Sequence, residues 1–245
     1  MLPTPSTSHV NYNHIYEPSE DSYLLLDTLS SAREIDFLRR RFPSDSLPPL
    51  LLEVGTGSGV VIAFCLANAK RIFGRSDVAG LGVDVNRFAC AATSETVRLA
   101  VAAETEPAVF LDGVLSDLTA AVRPGAIDIL IFNPPYVPSE TLPPNAVEEA
   151  KDSFSRDSHL LALSTDGGTD GMETTDRLLA ELPSALSPRG VAYVLLCAQN
   201  QPEQVMDRIR SWSDGWSVEI VGSSGNKAGW EKLCIIRIWQ GAQLG

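Results

Sequence analysis

The stretch LLLEVGTGSGVV at residues 50–61 joins a short apolar run to a glycine-rich turn. The apolar run at residues 50–54 is typical of a buried β-strand, and the pattern from Val60 to about Arg71 predicts a helix after the turn. A glycine-rich turn between a strand and a helix lets a ligand approach the backbone closely and points helix N–H groups at it. The stretch therefore predicts an α/β fold with a ligand site at the end of its first strand.

The spacing of the glycines narrows the class of ligand. Gly55, Gly57 and Gly59 form G-x-G-x-G, whereas the dinucleotide fingerprint needs its third glycine one residue later, where Val60 stands. A phosphate-binding P-loop is also excluded, because no Gly-Lys-Ser/Thr follows. The acidic Glu53 just before the turn favours S-adenosylmethionine (SAM), since this ligand has no phosphate and its cationic amino-acid end attracts a carboxylate.

Two further carboxylates follow predicted strands. Asp84 ends the strand predicted at residues 78–83 and could accept both ribose hydroxyls of a nucleoside. Asp117 follows the strand predicted at residues 108–111 and could accept an adenine amino group, with Leu118 against the ring. A single loop aspartate is as often a solvated turn residue. Their order after the glycine turn, at βαβ spacing, nevertheless indicates a nucleoside site.

Residues 133–136 read NPPY and follow the apolar run at residues 127–132. The side-chain carbonyl of Asn133 and the backbone carbonyl of Pro134 can each accept one N–H, and proline removes competing backbone donors. Tyr136 could lie against the flat face of the acceptor. The tetrapeptide predicts a cup for a planar –NH2 group, of an amide or of a base. The alternative is an ordinary proline-rich turn.

These motifs together resemble those of amino-methylating SAM-dependent methyltransferases. More narrowly, the chain resembles the HemK/PrmC-type protein-glutamine methyltransferases, in their eukaryotic and archaeal release-factor branch, from about Tyr16 onward. The NPPY motif is shared with adenine-N6 and cytosine-N4 DNA methylases, whereas the opening motif is specific to the release-factor branch. The resemblance is carried by YEPSEDSYLLLD (16–27), LLEVGTGSGVV (51–61), DVN (84–86), SDL (116–118), FNPPYV (132–137), LSPRG (186–190) and AGWEKL (228–233).

The resemblance implies a cofactor, a fold and a set of site residues. The cofactor is SAM, and the fold is the Rossmann-like seven-stranded methyltransferase fold with strand order 3-2-1-4-5-7-6. The implied catalytic residues are Asn133, Pro134 and Tyr136. The implied cofactor-binding residues are Tyr16, Ser22, Glu53, Gly55, Gly57, Gly59, Asp84, Val85, Asp117, Leu118 and Asn133.

The resemblance also implies an acceptor and a partner. The acceptor is the glutamine of the Gly-Gly-Gln loop in the polypeptide release factor, which acts together with its GTPase partner. The partner is a small zinc-binding methyltransferase activator protein that forms a heterodimer with the catalytic chain. Ala108-Val109-Phe110-Leu111 would be the edge strand of the sheet and contains no protective Lys or Pro, so it invites pairing with another chain. The alternative is that a helix or the loop at residues 115–118 covers this edge.

Charge and composition limit the alternatives. The formal net charge of −12 argues against a protein that grips nucleic acid by its phosphates, so we expect no stable nucleic-acid binding. A DNA or RNA amino-methyltransferase would share the NPPY chemistry but would favour a basic groove. An inactive SAM-binding scaffold would be expected to lack the NPPY side chains, and a nucleotide-dependent oxidoreductase is disfavoured by G-x-G-x-G. Lysine is a poor acceptor for the cup because its nitrogen is not planar.

Cysteine and histidine usage predicts no metal in this chain. Cys65, Cys90, Cys197 and Cys234 show no C-x-x-C spacing, which favours free core thiols in a reducing compartment. We expect the cytoplasm, with the nucleus as a second location. No apolar run approaches the roughly 18 residues that a membrane span needs, and the first residues lack the pattern of a secretory signal.

The element pattern predicts a single α/β domain over residues 15–245, preceded by a flexible tail at residues 1–14. A mostly parallel sheet with helices on both faces follows from the alternation, and the last strand returns antiparallel because residues 222–232 contain no helix. Residues 138–170 form a variable substrate loop, in which 138–160 is either a lid or a disordered insertion. The predicted helices are 19–37, 59–71, 87–103, 172–186 and 202–212, and the predicted strands are 50–54, 78–83, 108–111, 127–132, 190–197, 216–221 and 233–239.

Overall fold

A computed structural model of the chain describes residues 2–102, 104, 108–140, 161–213, 215–225 and 232–241. Within these residues, seven strands form one sheet: β1 (Leu50–Val54), β2 (Ala79–Asp84), β3 (Val109–Leu115), β4 (Ile127–Phe132), β5 (Leu186–Cys197), β6 (Trp216–Ser223) and β7 (Leu233–Gln240). Their order is β3-β2-β1-β4-β5-β7-β6, as predicted. The last strand, β7, is antiparallel to both of its neighbours, and the pairs among the first five strands are parallel.

Helices cover both faces of the sheet, and most residues of its central strands are apolar. The helices are α1 (Glu20–Leu29), α2 (Ala32–Arg41), α3 (Val60–Ala67), α4 (Ala69–Phe73), α5 (Arg87–Val101), α6 (Glu173–Ala185) and α7 (Pro202–Arg210). On one face Leu51 and Ile129 pack with residues of α1, α2 and α3, and on the other Leu52 and Leu130 pack with residues of α6 and α7. One apolar core therefore lies on each face of the sheet, between the sheet and the helices that cover it.

The helix predicted at residues 19–37 is in fact two helices, α1 and α2, that meet at Ser30 and Ser31. The Ser30 hydroxyl donates to the carbonyl of Leu26 at 2.7 Å, and the Ser31 hydroxyl accepts the Glu34 N–H at 3.3 Å. Serine side chains compete for backbone groups in this way and favour helix ends over helix interiors. Ser19, which precedes the first residue of α1, makes no capping hydrogen bond through its side chain.

Three consecutive arginines, Arg39, Arg40 and Arg41, lie in the last turn of α2. Arg41 is buried, and its guanidinium donates to the carbonyls of Arg189, Gly190 and Gln240 at 2.7–3.1 Å. Burial lowers the pKa of Arg41. This arginine therefore ties α2 to β5 and β7.

The region after the glycine turn and the third strand also differ from the predictions. The helix predicted at 59–71 breaks at Asn68, whose side chain donates to the Phe64 carbonyl at 3.0 Å. Strand β3 continues to Leu115, beyond the predicted end at residue 111, because a bulge lets the register shift so that Phe110 pairs with Gly80 and Asp112 with Leu81. Strand β5 begins four residues earlier than predicted, at Leu186.

The segment predicted as a flexible tail packs along α5. Val10 and Ile15 are buried in a small apolar cluster with Ala89. The Asn86 side-chain amide donates to the His14 carbonyl at 2.7 Å. Apolar residues of this segment thus meet apolar residues of α5, among them Phe88 and Ala92.

A buried ion pair holds α2, and with it α1, on the sheet. One guanidinium nitrogen of Arg237 donates to both carboxylate oxygens of Glu34 at 2.8 Å, and the Tyr193 hydroxyl donates to the same carboxylate at 2.8 Å. Burial and the charge of Glu34 raise the pKa of Tyr193 well above its usual value. Helix α1 also lies directly on β6, since a Cβ on Gly222 would collide with the Thr28 hydroxyl.

Two predicted segments lie outside the described residues. They are residues 141–160 of the variable loop and residues 226–231, which include most of the AGWEKL motif. Among the described helices, none combines the length and the apolar character needed to cross a bilayer.

Gly59 provides a test of the packing between α3 and α5. It has a φ of +76°, and a Cβ there would lie 2.6 Å from the Thr93 Cα. Gly125 has a φ of +69°, and a Cβ there would have nothing within 4 Å, so it is the matched control. We expect Gly125→Ala to lower the free energy of unfolding by about 1–2 kcal/mol, the cost of the left-handed backbone alone.

We expect Gly59→Ala to lower the free energy of unfolding by clearly more than Gly125→Ala, since a steric clash with backbone is added to the same backbone strain. Urea denaturation of both variants measures the difference. Equal losses would show that α5 can move away from the turn without cost.

Candidate functional site

A cavity of about 360 Å³ opens at the carboxyl ends of β1, β2 and β4. It lies where ligands bind in open α/β sheets, beside the strand at which the order of connections reverses. The predicted site residues that line it are Tyr16, Ser22, Glu53, Gly55, Gly57, Asp84, Val85, Asp117, Leu118, Asn133 and Pro134. These side chains and glycines come from five separate parts of the sequence, and the sheet brings them to one place.

The glycine turn forms the floor of the cavity. Gly55 and Gly57 have φ values of +65° and +52°, which favour glycine. Glu53 is buried, and its carboxylate accepts the N–H of Ile62 in the first turn of α3 at 2.8 Å. Burial, with a smaller contribution from the charge of Asp84, raises the pKa of Glu53 well above its usual value. A cationic ligand group beside Glu53 would therefore stabilise the ionised carboxylate.

Asp84 is half-buried and retains hydrogen-bonding capacity toward the cavity. One carboxylate oxygen accepts the Gly57 N–H at 3.0 Å, and the other accepts the Asn86 N–H at 2.8 Å. Burial raises its pKa in spite of these two bonds. Because a carboxylate offers about four lone-pair sites, Asp84 can still accept a hydrogen bond from a ligand hydroxyl.

Asp117 and Leu118 lie at the next strand end, and an unexpected partner holds Asp117. A guanidinium nitrogen of Arg177, in α6, lies 2.5 Å from one carboxylate oxygen of Asp117. Arg177 also lines the cavity. Leu118 is buried and has a φ of +48°, an uncommon conformation for a bulky residue. Backbone strain of this kind clusters at ligand sites, which supports a binding role for this turn.

Asn133 has an unpaired acceptor. Its side-chain nitrogen donates to the Asp21 carboxylate at 3.1 Å, whereas its side-chain oxygen is buried and has no hydrogen-bond partner. A buried unsatisfied polar atom is costly, so its presence calls for an explanation. The predicted cup provides one, because a bound –NH2 group would donate to this oxygen.

Two predicted site residues are not among those that line the cavity. Tyr136 packs instead against the apolar cluster beneath α1. Gly59 lies against Thr93 of α5, where there is no room for a side chain. The contacts of Tyr136 with the acceptor and of Gly59 with the cofactor stay predictions, and each residue also has a packing role in the fold.

The described part of the variable loop lies directly on the NPPY backbone. Val137 and Asp166 form an isolated parallel bridge, and the Gly167 N–H donates to the Val137 carbonyl at 2.8 Å. A Cβ on Gly171 would collide with the Tyr136 carbonyl oxygen. Asp166 also lines the cavity. Leu163, Ser164 and Asp166 thus form part of the cavity wall.

Three residues of the site were missed by the sequence analysis. Asp21 binds Asn133, and Arg177 binds Asp117. Asn200 is buried, and its side-chain amide donates to the carbonyls of Tyr136 at 3.1 Å and Asp170 at 2.9 Å. Of the three, Asp21 could most readily have been identified from the sequence, because it is a carboxylate at the start of an apolar helix, inside the YEPSEDSYLLLD motif.

The described residues contain no group of His, Cys, Asp or Glu side chains that could hold a metal ion. All four cysteines are buried and free. Burial raises the pKa of Cys90 and Cys234 to about 11.

The chain shares its fold with solved structures to which its sequence identity is low. The N-terminal domain of human METTL16 in complex with SAH aligns with a TM-score of 0.54 at 12% identity, over 94% of this chain and 74% of that one. A ribosomal protein L11 methylase from Lactobacillus delbrueckii subsp. bulgaricus aligns with a TM-score of 0.51 at 14% identity, over 93% and 82%. Similarity at this level speaks to the fold alone.

No protein-family model matches the chain, but curated proteins do. It is 33% identical to Methyltransferase HEMK2 of Mus musculus over 219 residues, which cover 86% of each protein. It is 31% identical to the eRF1 methyltransferase catalytic subunit mtq2 of Schizosaccharomyces pombe over 252 residues, which cover 98% of this chain and 96% of that protein. With relatives this similar over most of its length, the chain belongs to the HEMK2/Mtq2 family and is a methyltransferase.

Proposed function

We propose that the protein methylates the side-chain amide nitrogen of the glutamine in the Gly-Gly-Gln loop of a polypeptide release factor. The observation that carries this proposal is the buried, unpaired side-chain oxygen of Asn133 beside the cavity. An amide –NH2 supplies the missing donor. The name of the S. pombe relative, an eRF1 methyltransferase catalytic subunit, supports the choice of acceptor.

The cavity fits SAM as the methyl donor. Its volume of about 360 Å³ lies in the range of sites for small organic ligands. Asp84 would hold the ribose hydroxyls, Asp117 the adenine amino group through its oxygen not bound to Arg177, and Glu53 the cationic end. When bound, SAM supplies a methyl group on a sulfonium sulfur, which leaves readily because it becomes a neutral thioether.

The NPPY residues act on the acceptor. The nitrogen of a primary amide is a poor nucleophile because its lone pair is delocalised into the carbonyl. Asn133 and the Pro134 carbonyl would each accept one N–H, which fixes the nitrogen in place and favours the positive charge that develops on it. The excess proton then leaves to water, so a strong general base is not required. No histidine is needed for this chemistry.

A protein acceptor agrees better with the charge than a nucleic acid does. The net charge is −12, whereas proteins that bind nucleic acid neutralise phosphates with Lys and Arg. The NPPY cup alone would also accept the exocyclic amino group of adenine. The charge and the relatives, rather than the cup, therefore favour the protein substrate.

We also propose that a small zinc-binding activator protein pairs with β3. This strand is at the edge of the sheet, and Val109, Leu111 and Leu115 expose 56%, 55% and 62% of their surface. An exposed apolar edge strand is a template for pairing with another chain. The term "catalytic subunit" in the name of the S. pombe relative supports the existence of a second subunit.

The proposed function is tested by transfer of labelled methyl groups from SAM. The full chain, co-expressed with the activator, would be given the release factor with its GTPase partner, the same factor with Gln of Gly-Gly-Gln changed to Ala, or DNA and RNA oligonucleotides. We expect label on the intact release factor alone. Label on the oligonucleotides would contradict the proposal and assign the cup to a base.

Substitution of Asn133 and substitution of Asp84 are expected to impair different steps, methyl transfer in the first case and SAM binding in the second. Asn133→Ala should abolish methyl transfer at saturating SAM, because the acceptor loses its hydrogen bond, and should leave SAM affinity nearly unchanged. Asp84→Ala should weaken SAM binding, because the ribose hydroxyls lose their acceptor. Calorimetric titration with SAM, together with turnover at saturation, measures both. Weak SAM binding by Asn133→Ala with normal turnover at saturation would remove Asn133 from its proposed role.

The proposed interface at β3 is tested by introducing positively charged side chains on this strand. We expect Val109→Lys with Leu111→Lys to abolish copurification with the activator, since lysines on an edge strand block pairing. Leu47 is 79% exposed outside the sheet, and Leu47→Lys is the matched control. Copurification of the double variant at the level of the control would show that the activator binds elsewhere.

A further inference from the structure

We infer that Asp21 is a positioning residue that fixes the orientation of the Asn133 side-chain amide. Asp21 exposes only 3% of its surface and lines the cavity. One of its carboxylate oxygens accepts the Asn133 side-chain N–H at 3.1 Å. Nothing in the NPPY motif itself determines which way this amide faces, so the determinant has to come from another part of the chain.

The orientation matters because the two ends of an amide have nearly the same shape and opposite hydrogen-bonding character. The oxygen end accepts, and the nitrogen end only donates. If the Asn133 amide turned over, its –NH2 would face the –NH2 of the acceptor, and two donors would oppose each other. An ionised carboxylate can only accept, so Asp21 binds the nitrogen end of Asn133 and leaves the oxygen for the substrate.

The carboxylate is itself held in place. Its other oxygen accepts the backbone N–H of Ser22 at 2.5 Å and the Ser22 hydroxyl at 3.2 Å. Asp21 lies in the first turn of α1, where the helix dipole favours negative charge. Helix α1 is fixed against β6 by the contact between Thr28 and Gly222. The position of Asp21 is thus determined by the packing of α1 on the sheet.

The hydrogen bond also has an electronic consequence. A charge-assisted bond to the nitrogen of an amide polarises the whole group and increases the electron density on its oxygen. The Asn133 oxygen then becomes a better acceptor for the N–H groups of the nitrogen that gains a methyl. Asp21 acts through Asn133 in both respects, without contact to the reacting atoms being required.

This inference rests on the proposed function for the identity of the acceptor, but the orientation of Asn133 can be measured without it. The informative change is Asp21→Asn, because asparagine is of the same size and can present either an acceptor or a donor to Asn133. Glu20 is exposed in the same helical turn, so Glu20→Gln removes one carboxylate without touching Asn133 and is the matched control.

Steady-state kinetics of the full chain with its activator provide the first measurement. We expect Asp21→Asn to lower kcat for the release factor by about 100-fold, similar to the loss of one aligned hydrogen bond in an active site. The SAM dissociation constant and the thermal midpoint should stay near those of Glu20→Gln. A normal kcat, or a loss confined to KM or to SAM affinity, would overturn the inference.

The second measurement needs no turnover. It records the NMR signals of the Asn133 side-chain amide in ¹⁵N-labelled protein. These signals are identified by their loss in Asn133→Ala. We expect them to shift in Asp21→Asn and to stay unchanged in Glu20→Gln, and unchanged signals in both variants would overturn the inference. If the wild-type enzyme leaves the release factor unlabelled while the signals shift as expected, the proposed function fails and the positioning role stands.

Discussion

The carboxyl ends of β1, β2 and β4 stop at one level, and the site depends on this alignment. In the sheet register Val54 lies beside Val83 on one side and Phe132 on the other. The next residue of each strand or turn is Gly55, Asp84 or Asn133, so parallel pairing brings the glycine turn, a carboxylate and the NPPY motif together. A shift of one residue in either pair would turn these groups to the other face of the sheet.

Beside this alignment the buried side-chain oxygen of Asn133 has no hydrogen-bond partner. A buried polar atom without a partner costs about 1–3 kcal/mol, and the Asn133 oxygen is such an atom. The fold tolerates this cost because the surrounding structure is rigid: the buried Glu34–Arg237 pair and the packing of α1 on β6 fix the helix that carries Asp21. Stability far from the site therefore maintains an acceptor that is ready for a substrate, which is the preorganisation that catalysis requires.

Much of this could be predicted from the sequence, because the strands are short apolar runs and the glycine turn, Asp84 and NPPY each follow a strand. The strand order was implied by the resemblance and is confirmed. What could not be predicted depends on contacts between distant parts of the chain. The hydrogen bonds of Asp21 and Asn200 to the NPPY turn become evident only when the positions of α1 and of the end of β5 in the fold are known. The break between α1 and α2 was missed because two serines within a helical pattern do not reveal which backbone groups they will bind.

Some motif residues also have a packing role that the sequence did not reveal. Tyr136 packs, partly buried, against the apolar core, and Gly59 lets α5 approach the glycine turn. These contacts between distant elements depend on the tertiary structure, so the motifs alone could not predict them.

The role of the unpaired Asn133 oxygen would be decided by a structure of the complex with S-adenosylhomocysteine and the Gly-Gly-Gln domain of the release factor. We expect the glutamine amide nitrogen to donate to the side-chain oxygen of Asn133 and to the carbonyl of Pro134, with Asp21 still bound to the Asn133 nitrogen. A complex in which that amide nitrogen binds other groups, and the Asn133 oxygen stays unpaired, would contradict this role.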